Sequence, residues 1–509
     1  MGLFEPLRQY ISSGKPYFGI CLGMQILCES SMEAPDSVRG LGLIPCAIEK
    51  FDDQDKSVPH MGWNTADLLD PQEEEAEIPS PSYYYFVHSY CLKYGSGARQ
   101  DAMQWIFTTT QYGQELFASS VRRGNIFGTQ FHPEKSGPAG LALILDWLNR
   151  PIIEHTPVPD GPSTLRSPAP QHRLTKRIVA CMDVRTNDEG DLVVTKGDQY
   201  DVREKSSQPN GVDIVTTKAA GAVRNLGKPV ALAKRYYDAG ADELCLLNIT
   251  SFRQSPLHDQ PMLSIVAAAA EMVFIPLTIG GGIKDTVDPD GTKRSALEVA
   301  SAYFRKGADK VSIGSEAVYA VEKFLANGGT KDGTSAIETI AHAYGKQAVV
   351  VSIDPRRVYI DDLASYGGPY KDELIYGSPT EKERGKAWWY QCTVSGGREA
   401  RPLSVVQLAK GVEALGAGEI LVNSIDRDGT GLGFDLNLVN LIKRSVKIPV
   451  VASSGAGTAQ HFVDVFQGTS VEAALAAGIF HREEVRISEV KDEMKKASIN
   501  TRSIVHMPS

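Results

Sequence analysis

The chain has 509 residues, 42% of them apolar and 23% charged, and a formal net charge of −9. That length suggests two to four domains, the composition excludes a globally disordered chain, and the acidic balance gives no global electrostatic pull toward nucleic acid or an anionic membrane. No apolar run approaches the roughly 20 residues of a membrane-spanning helix, and the opening MGLFEPLRQYISSG lacks the apolar core of a secretory signal. Seven cysteines without C-x-x-C spacing suggest neither a disulfide framework nor a zinc site. A reducing, cytoplasmic setting is expected.

In chain order, the first informative segment is YFGICLGMQIL, residues 17–27. It sets Cys21 between a short apolar strand and a helical run, with Gly19 and Gly23 permitting a sharp turn. That is the layout of a nucleophile elbow, and a helix N-terminus favours a thiolate. Taken alone, Cys21 could equally be a buried core thiol. GTQFHPEKSG, residues 128–137, shifts the balance. His132 can act as general base, and Glu134 can orient the imidazole and stabilise its cation. His60, in VPHMGWN, and His88, in YFVHSY, are rival bases, and their surroundings suit structural roles better.

GICLGMQ and FHPEKSG, with RGLGLIP, MGWN and YYFVHSY between them, resemble the class I glutamine amidotransferase family across residues 14–148. The resemblance implies a flavodoxin-like α/β domain over residues 1–150 and a triad of Cys21, His132 and Glu134. Its chemistry would be attack of the thiol on the glutamine side-chain amide, release of ammonia, and hydrolysis of the thioester. Family members carry about two more βα units before GKPYFGIC, including a glycine-rich oxyanion loop. The resemblance therefore predicts a domain truncated at its start and a weak or inactive glutaminase.

Six prolines fall between Pro151 and Pro170 with no helical or strand period. Proline removes backbone donors and stiffens the chain, so residues 151–172 read as a linker. Residues 173–509 form the second domain. There, short β-rich runs alternate with amphipathic stretches. The strands are RIVACMDV, DELCLLNIT, IPLTIGGG, DKVSIG, AVVVSID, EILVNSID, IPVVASSGAG and VEAALAAG. Strands alternating with helices imply a parallel sheet, and eight is the number of a (β/α)8 TIM barrel. The halves echo each other at nearly constant spacing: ADELCLLNIT with AGEILVNSID, TIGGGI with ASSGAG, CMDVR with SIDPR. A twofold internal repeat of four βα units follows. Two stretches break the rhythm, Ser206–Asn225 and the segment YGGPYKDELIYGSPTEKERGKAWWYQC. Such stretches are lids, clamps or simple insertions.

In such a barrel the active site lies at the C-terminal ends of the strands. Asp183 and Asp354 end corresponding strands of the two halves. Each alone could be a helix cap, whereas the matched pair suits a general acid and a general base. TIGGGI and SSGAG each end a strand and are expected to precede a helix, where backbone N–H groups and the helix dipole hold phosphate. Two such sites half a barrel apart, with Lys196 adding charge, point to an elongated bisphosphate.

RIVACMDV, VVTKGDQY, GGGIKD, GADKVSIG, QAVVVSID, GAGEILVNSIDRDGT and SSGAG resemble, in order, the cyclase of the imidazole glycerol phosphate synthase family across residues 174–505. With an amidotransferase in front, the chain is similar to the bifunctional fusion of fungi and plants. The resemblance implies a reaction of glutamine with phosphoribulosyl-formimino-AICAR phosphate. Its products are imidazole glycerol phosphate, AICAR and glutamate, in histidine biosynthesis. It carries the acid/base pair to Asp183 and Asp354. It also carries substrate contacts to Lys196, Gly282, Gly314, Ser315, Ser395, Gly396, Asp428, Gly429, Gly455 and Gly478. An ammonia gate falls on Arg177, Glu243, Lys310 and Glu419, all at strand starts; a solvated salt-bridge ring capping the barrel floor is the plain structural reading of the same residues, and the two are compatible. No cofactor or metal is implied, since addition, elimination and ring closure are proton-transfer chemistry. Both activities on one chain imply small-molecule substrates and no obligate partner. Asn248 stands where many relatives carry aspartate, and SSGAG replaces the more usual SGGAG. Two rivals remain: an ammonia-dependent cyclase with a non-catalytic front module, and a phosphosugar isomerase of the related barrel family. An isomerase has no use for ammonia.

Overall fold

The computed structural model describes residues 2–34, 38–69, 82–95, 99–152, 173–186, 192–195, 229–249, 257, 260–377 and 383–503. Most of the proline-rich linker, Lys196 and the stretch Ser206–Asn225 lie outside the described residues.

Eight parallel strands close into a barrel in the second region. They are β1 (Arg177–Thr186), β2 (Glu243–Asn248), β3 (Leu277–Gly280), β4 (Lys310–Ile313), β5 (Val349–Ile353), β6 (Glu419–Asn423), β7 (Val450–Ser453) and β8 (Ala473–Ala476). Each pairs with its sequence neighbour, and β8 returns to β1 in register Arg177↔Ala473 through Ala180↔Ala476. The period-2 alternation of a strand sorts the side chains into two apolar sets. Ile178, Ala180, Met182, Leu244 and Leu246 join the layer shared with the surrounding helices. Val179, Cys181, Cys245, Val350, Leu421, Val451, Ala473 and Leu475 form a separate cluster inside the barrel. Helix starts are set by local chemistry: Ser295 with Glu298, Ser335 with Glu338 and Ser404 with Gln407 each close a capping box.

The sequence repeat is visible in the ring. β1 and β5 stand four strands apart, as do β2 and β6, β3 and β7, and β4 and β8. The first strand of each half is followed by antiparallel structure. β1 pairs with Leu192–Thr195. Beyond β5, Pro355–Ile360, Ile375–Tyr376, Ala387–Val394 and Glu399–Ser404 make a small antiparallel sheet. One expectation is corrected. TIGGGI does not lead directly into a helix: a hairpin of Thr286–Val287 and Lys293–Arg294 intervenes, and the next helix begins at Ala296. Asp288 anchors that excursion, accepting from Leu257 N–H at 2.9 Å and pairing with Arg294 at 2.8 Å.

The front region is an α/β unit on a mixed sheet. Strand Tyr17–Ile20 runs parallel to Ile126–Thr129, followed by the antiparallel strands Glu115–Arg123, Ile106–Tyr112 and Asp67–Leu68. The pairing Ile20↔Thr129 places the residues just beyond both strands side by side. A second pair, His60–Thr65 with Tyr83–His88, lies against the barrel. Its Met61, Trp63 and Tyr85 belong to the barrel's own hydrophobic cluster. The surface they meet is the floor, the N-terminal end of the strands. Trp63 Nε1 donates to the Asp242 carbonyl at 3.0 Å, Gly137 N–H to Phe274 at 2.8 Å and Val58 N–H to Lys447 at 3.1 Å. Asp242 is itself fully buried, taking Lys491 at 2.6 Å and Arg502 at 2.9 Å, while the Arg502 guanidinium sits 4.1 Å from the Trp63 ring centre. Among the described residues no helix is long and apolar enough to cross a membrane.

Candidate active sites and the floor between them

Cys21 follows the strand Tyr17–Ile20 and precedes the helix Leu22–Gln25, with φ 49° and ψ −102°. A non-glycine residue pays about 1–3 kcal/mol for such a conformation, and the fold holds it there. Cys21 N–H donates to the Thr129 carbonyl at 2.7 Å, and Met24 N–H returns to the Cys21 carbonyl at 3.0 Å. Gly19 is required by closeness: a Cβ there would lie 2.4 Å from the Gly23 carbonyl oxygen. The first N–H groups of the following helix, Leu22 among them, have no intrahelical acceptor.

His132 lies just beyond Ile126–Thr129, its backbone N–H held by the Tyr85 carbonyl at 2.8 Å. Its Nδ1 meets Glu134 Oε1 at 2.8 Å. Burial alone would push the imidazole down. Hydrogen bonding and charge from Cys21 and Glu134 outweigh it and push His132 up to about 10. Burial would likewise raise Glu134, but the His132 hydrogen bond and charge hold it below the usual carboxylate range. His132 and Glu134 thus each favour the charged form beside the thiol. The rivals His60 and His88 sit elsewhere, buried among Phe51, Phe86, Tyr112 and Phe117 with their rings 3.2 Å apart at Nδ1 and Nε2. Burial pushes both down, His88 to about 3, as suits neutral core histidines.

Gln25 and Gln130 lie inside the two motifs but carry no local pattern that singles them out. The fold stacks both behind Cys21. Each side chain is buried, and the Gln130 amide reaches the Cys21 sulfur at 3.5 Å. Only the pairing of segments more than a hundred residues apart brings them together.

At the floor, the four strand-start charges meet. Arg177 donates to Glu243 Oε2 at 2.6 Å and pairs with Glu419. Lys310 donates to Glu419 Oε2 at 2.7 Å and pairs with Glu243. Thr278 adds a hydrogen bond to Glu243 at 2.9 Å. All four are at most 2% exposed, so a solvated ring is ruled out. Burial would raise Glu419, yet the charges of Arg177 and Lys310 hold it down at about 2. Met61 Sδ, from the front region, lies 3.6 Å from Lys310 Nζ. Lys135, next to Glu134, pairs with Asp309, next to Lys310, at 2.9 Å. The triad segment and the floor are thereby joined through one ion pair.

At the top of the barrel, Asp183 and Asp354 come from β1 and the end of β5, on opposite sides of the ring. Asp183 shares the inward alternation of Arg177, Val179 and Cys181. Burial raises the Asp354 carboxyl; an Asn423 Nδ2 hydrogen bond at 2.9 Å opposes this, and the Asp428 charge adds to it. The glycine positions form two groups. Gly282 follows β3, and Gly314 caps the helix Ser315–Ala326 after β4. Ser395, at φ 55°, donates its N–H to Ser315 Oγ at 2.9 Å, which brings Ser395 and Gly396 into that group. On the other side Gly455, at φ 96°, passes so close to Gly433 that a Cβ would lie 2.3 Å from the Gly433 carbonyl oxygen. Asp428 and Gly429 belong to the loop after β6, and Gly478 starts the helix after β8. Lys196 lies outside the described residues.

A strained cysteine elbow with a His–Glu pair, seated on the floor of an eight-stranded parallel barrel with carboxylates and glycine loops at its top, defines an amidotransferase domain joined to a (β/α)8 barrel. Comparison with known proteins gives the same two halves: residues 2–149 match the family described as glutamine amidotransferase class-I, and residues 177–486 match histidine biosynthesis protein. The chain is 52% identical to imidazole glycerol phosphate synthase hisHF of Emericella nidulans, over 97% of this chain and 87% of that one. It is 50% identical to the hisHF of Schizosaccharomyces pombe, over 96% and 87%, and 50% identical to the chloroplastic hisHF of Arabidopsis thaliana, over 98% and 79%. The chain belongs to the imidazole glycerol phosphate synthase hisHF family, bifunctional enzymes with a glutaminase and a cyclase domain.

Proposed function

We propose that the front domain hydrolyses glutamine and that the ammonia crosses the barrel to a bisphosphate at its top. There it reacts with phosphoribulosyl-formimino-AICAR phosphate to give imidazole glycerol phosphate and AICAR, with glutamate left at the front. The observation that carries the reading is the placement of the four-charge floor between the triad domain and the two barrel aspartates. Cys21 Sγ attacks the side-chain amide carbon of glutamine. A helix N–H at Leu22 receives the developing oxyanion, and His132 hands a proton to the departing nitrogen. Water then cleaves the thioester with His132 as base, releasing glutamate. Ammonia enters where Met61 abuts Lys310, passes the lining of Val179, Cys181 and Cys245, and arrives between Asp183 and Asp354. Asp354, its carboxyl held up by burial, suits the proton donor, and Asp183 suits the base. The β3–β4 and β6–β8 glycine groups would each take one phosphate. A glutaminase feeding a lyase on one chain needs no obligate partner, and the cytoplasm is the proposed compartment.

The test is product formation from the bisphosphate with glutamine, with ammonium and with neither. Product with both nitrogen sources supports the reading. Product with ammonium alone would leave only the cyclase.

A further inference from the structure

We infer that Gln130 is a positioning residue of the glutaminase, holding the Cys21 sulfur with an amide donor whose direction is fixed by Gln25 and the Tyr90 carbonyl. The inference rests on the glutaminase reading and concerns groups outside the Cys21–His132–Glu134 triad.

Hydrogen-bond polarity fixes which end of the Gln130 amide faces the sulfur. A side-chain amide has a donor end and an acceptor end, and which end faces a neighbour is settled by the network. The network begins at the Tyr90 backbone carbonyl, which can only accept. Gln25 Nε2 lies 2.9 Å from it, so the Gln25 nitrogen must point that way. That nitrogen has a second hydrogen, and Gln130 Oε1 takes it at 3.0 Å. With its oxygen committed, Gln130 can offer only its Nε2 to the Cys21 sulfur at 3.5 Å. The chain of bonds therefore ends in a donor aimed at sulfur, and a donor favours the anionic form of its acceptor.

The network is rigid. Gln130 is fully buried and Gln25 is 8% exposed. Gln130 N–H is bonded to the Ser119 carbonyl at 2.8 Å, and Gln25 N–H to the Cys21 carbonyl at 3.1 Å. The second amide thus comes from the helix that the nucleophile itself opens. The titratable groups around the thiol are His132 and, behind it, Glu134. Lys135, Asp309 and His88 act on these two at longer range, and Tyr17 bonds the Gly23 carbonyl at 2.7 Å on the other flank. His132 and Gln130 approach the sulfur from neighbouring positions of one segment: the imidazole moves the proton, and the amide holds the sulfur.

The experiment follows alkylation of Cys21 by iodoacetamide against pH in the full chain, with Cys21→Ala as the blank and circular dichroism as the folding control. Gln130→Met keeps length and removes the donor. Its Cys21 alkylation rate at pH 7 should fall about tenfold, the size of a charge-assisted hydrogen bond, and the deficit should close as pH rises. Gln25→Met frees the Gln130 amide to turn over and should give a smaller loss. Gln130→Glu puts an acceptor against the sulfur and should lose more than Gln130→Met. Glutamine hydrolysis should fall in the same order, in kcat rather than KM. A folded Gln130→Met chain whose alkylation profile overlays that of the unsubstituted chain would overturn the inference. If Gln130→Met does not fold, the order of Gln25→Met and Gln130→Glu decides. Failure of the glutaminase reading itself would appear separately, as glutamine-dependent turnover surviving Cys21→Ala.

Discussion

The two mouths of the barrel are balanced differently. At the floor, two cations and two carboxylates are buried together and each finds its opposite. At the top, two carboxylates lie on opposite sides of the ring; burial raises the Asp354 carboxyl, and the nearby Asp428 charge adds to that. Inward alternation of barrel strands serves both ends, with β1 contributing to each, so the contrast comes from residue choice and not from backbone. Charge at the floor is spent on closure, and the front domain completes that closure with Met61 and Trp63. Charge at the top is left with a raised Asp354 carboxyl beside glycine-bearing loops.

The largest expected effect tests whether the top works without the front. Cys21→Ala should abolish glutamine-dependent product while ammonium-dependent product persists. Equal loss with both nitrogen sources would show that Cys21 matters for folding. Next, Asp183→Asn and Asp354→Asn should each lower ammonium-dependent turnover by about 10²-fold or more, as for a lost acid or base. Near-normal turnover in either would remove it from the pair. At the floor, Arg177→Met leaves Glu243 and Glu419 sharing Lys310. Breaking a buried pair costs about 3–5 kcal/mol, measurable as a shift of the urea midpoint, and a loss below 1 kcal/mol would mean that water reaches the floor.

The sharpest contrast is in sign. Between the ordinary carboxylate range and its raised folded value, Asp354 binds more protons folded than unfolded, so stability falls as pH rises through that window. Asp354→Asn should therefore melt at a higher temperature than the unsubstituted chain at pH 7, with the gap closing at acid pH. A lower melting temperature at pH 7 would contradict the burial argument. Asp428→Asn, at an exposed position, should change stability by less than about 0.5 kcal/mol.

Much of this was legible in the sequence. The eight strands could be read because barrel strands buried on both faces are near-continuous apolar runs, and the repeat fixed which strands correspond. Cys21, His132 and Glu134 could be read from two motifs at strand ends, whereas the floor charges were implied only by the resemblance to the cyclase family. The hairpin between Gly282 and Ala296 was missed because GGG reads the same before a turn as before a helix. The burial of the floor was missed because Arg177 and Lys310 in sequence look like ordinary solvated charges. The docked pair His60–Thr65 and Tyr83–His88 brings Met61 and Tyr85 against them. Gln25 and Gln130 were passed over for a similar reason: their meaning lies in which end of an amide faces which atom.

Strand β1 carries Arg177 at one mouth and Asp183 at the other, six steps or about 20 Å along the same strand. Both belong to one reading frame of alternating faces. A single-residue insertion or deletion between them would leave every hydrogen bond of the barrel available and still turn Asp183 outward among the helices. A change of two residues would restore the phase but shorten or lengthen the span between the two charges by roughly 7 Å. The distance from floor charge to top carboxylate can thus change only in whole pleats, which makes β1 the ruler against which both ends of the barrel were set.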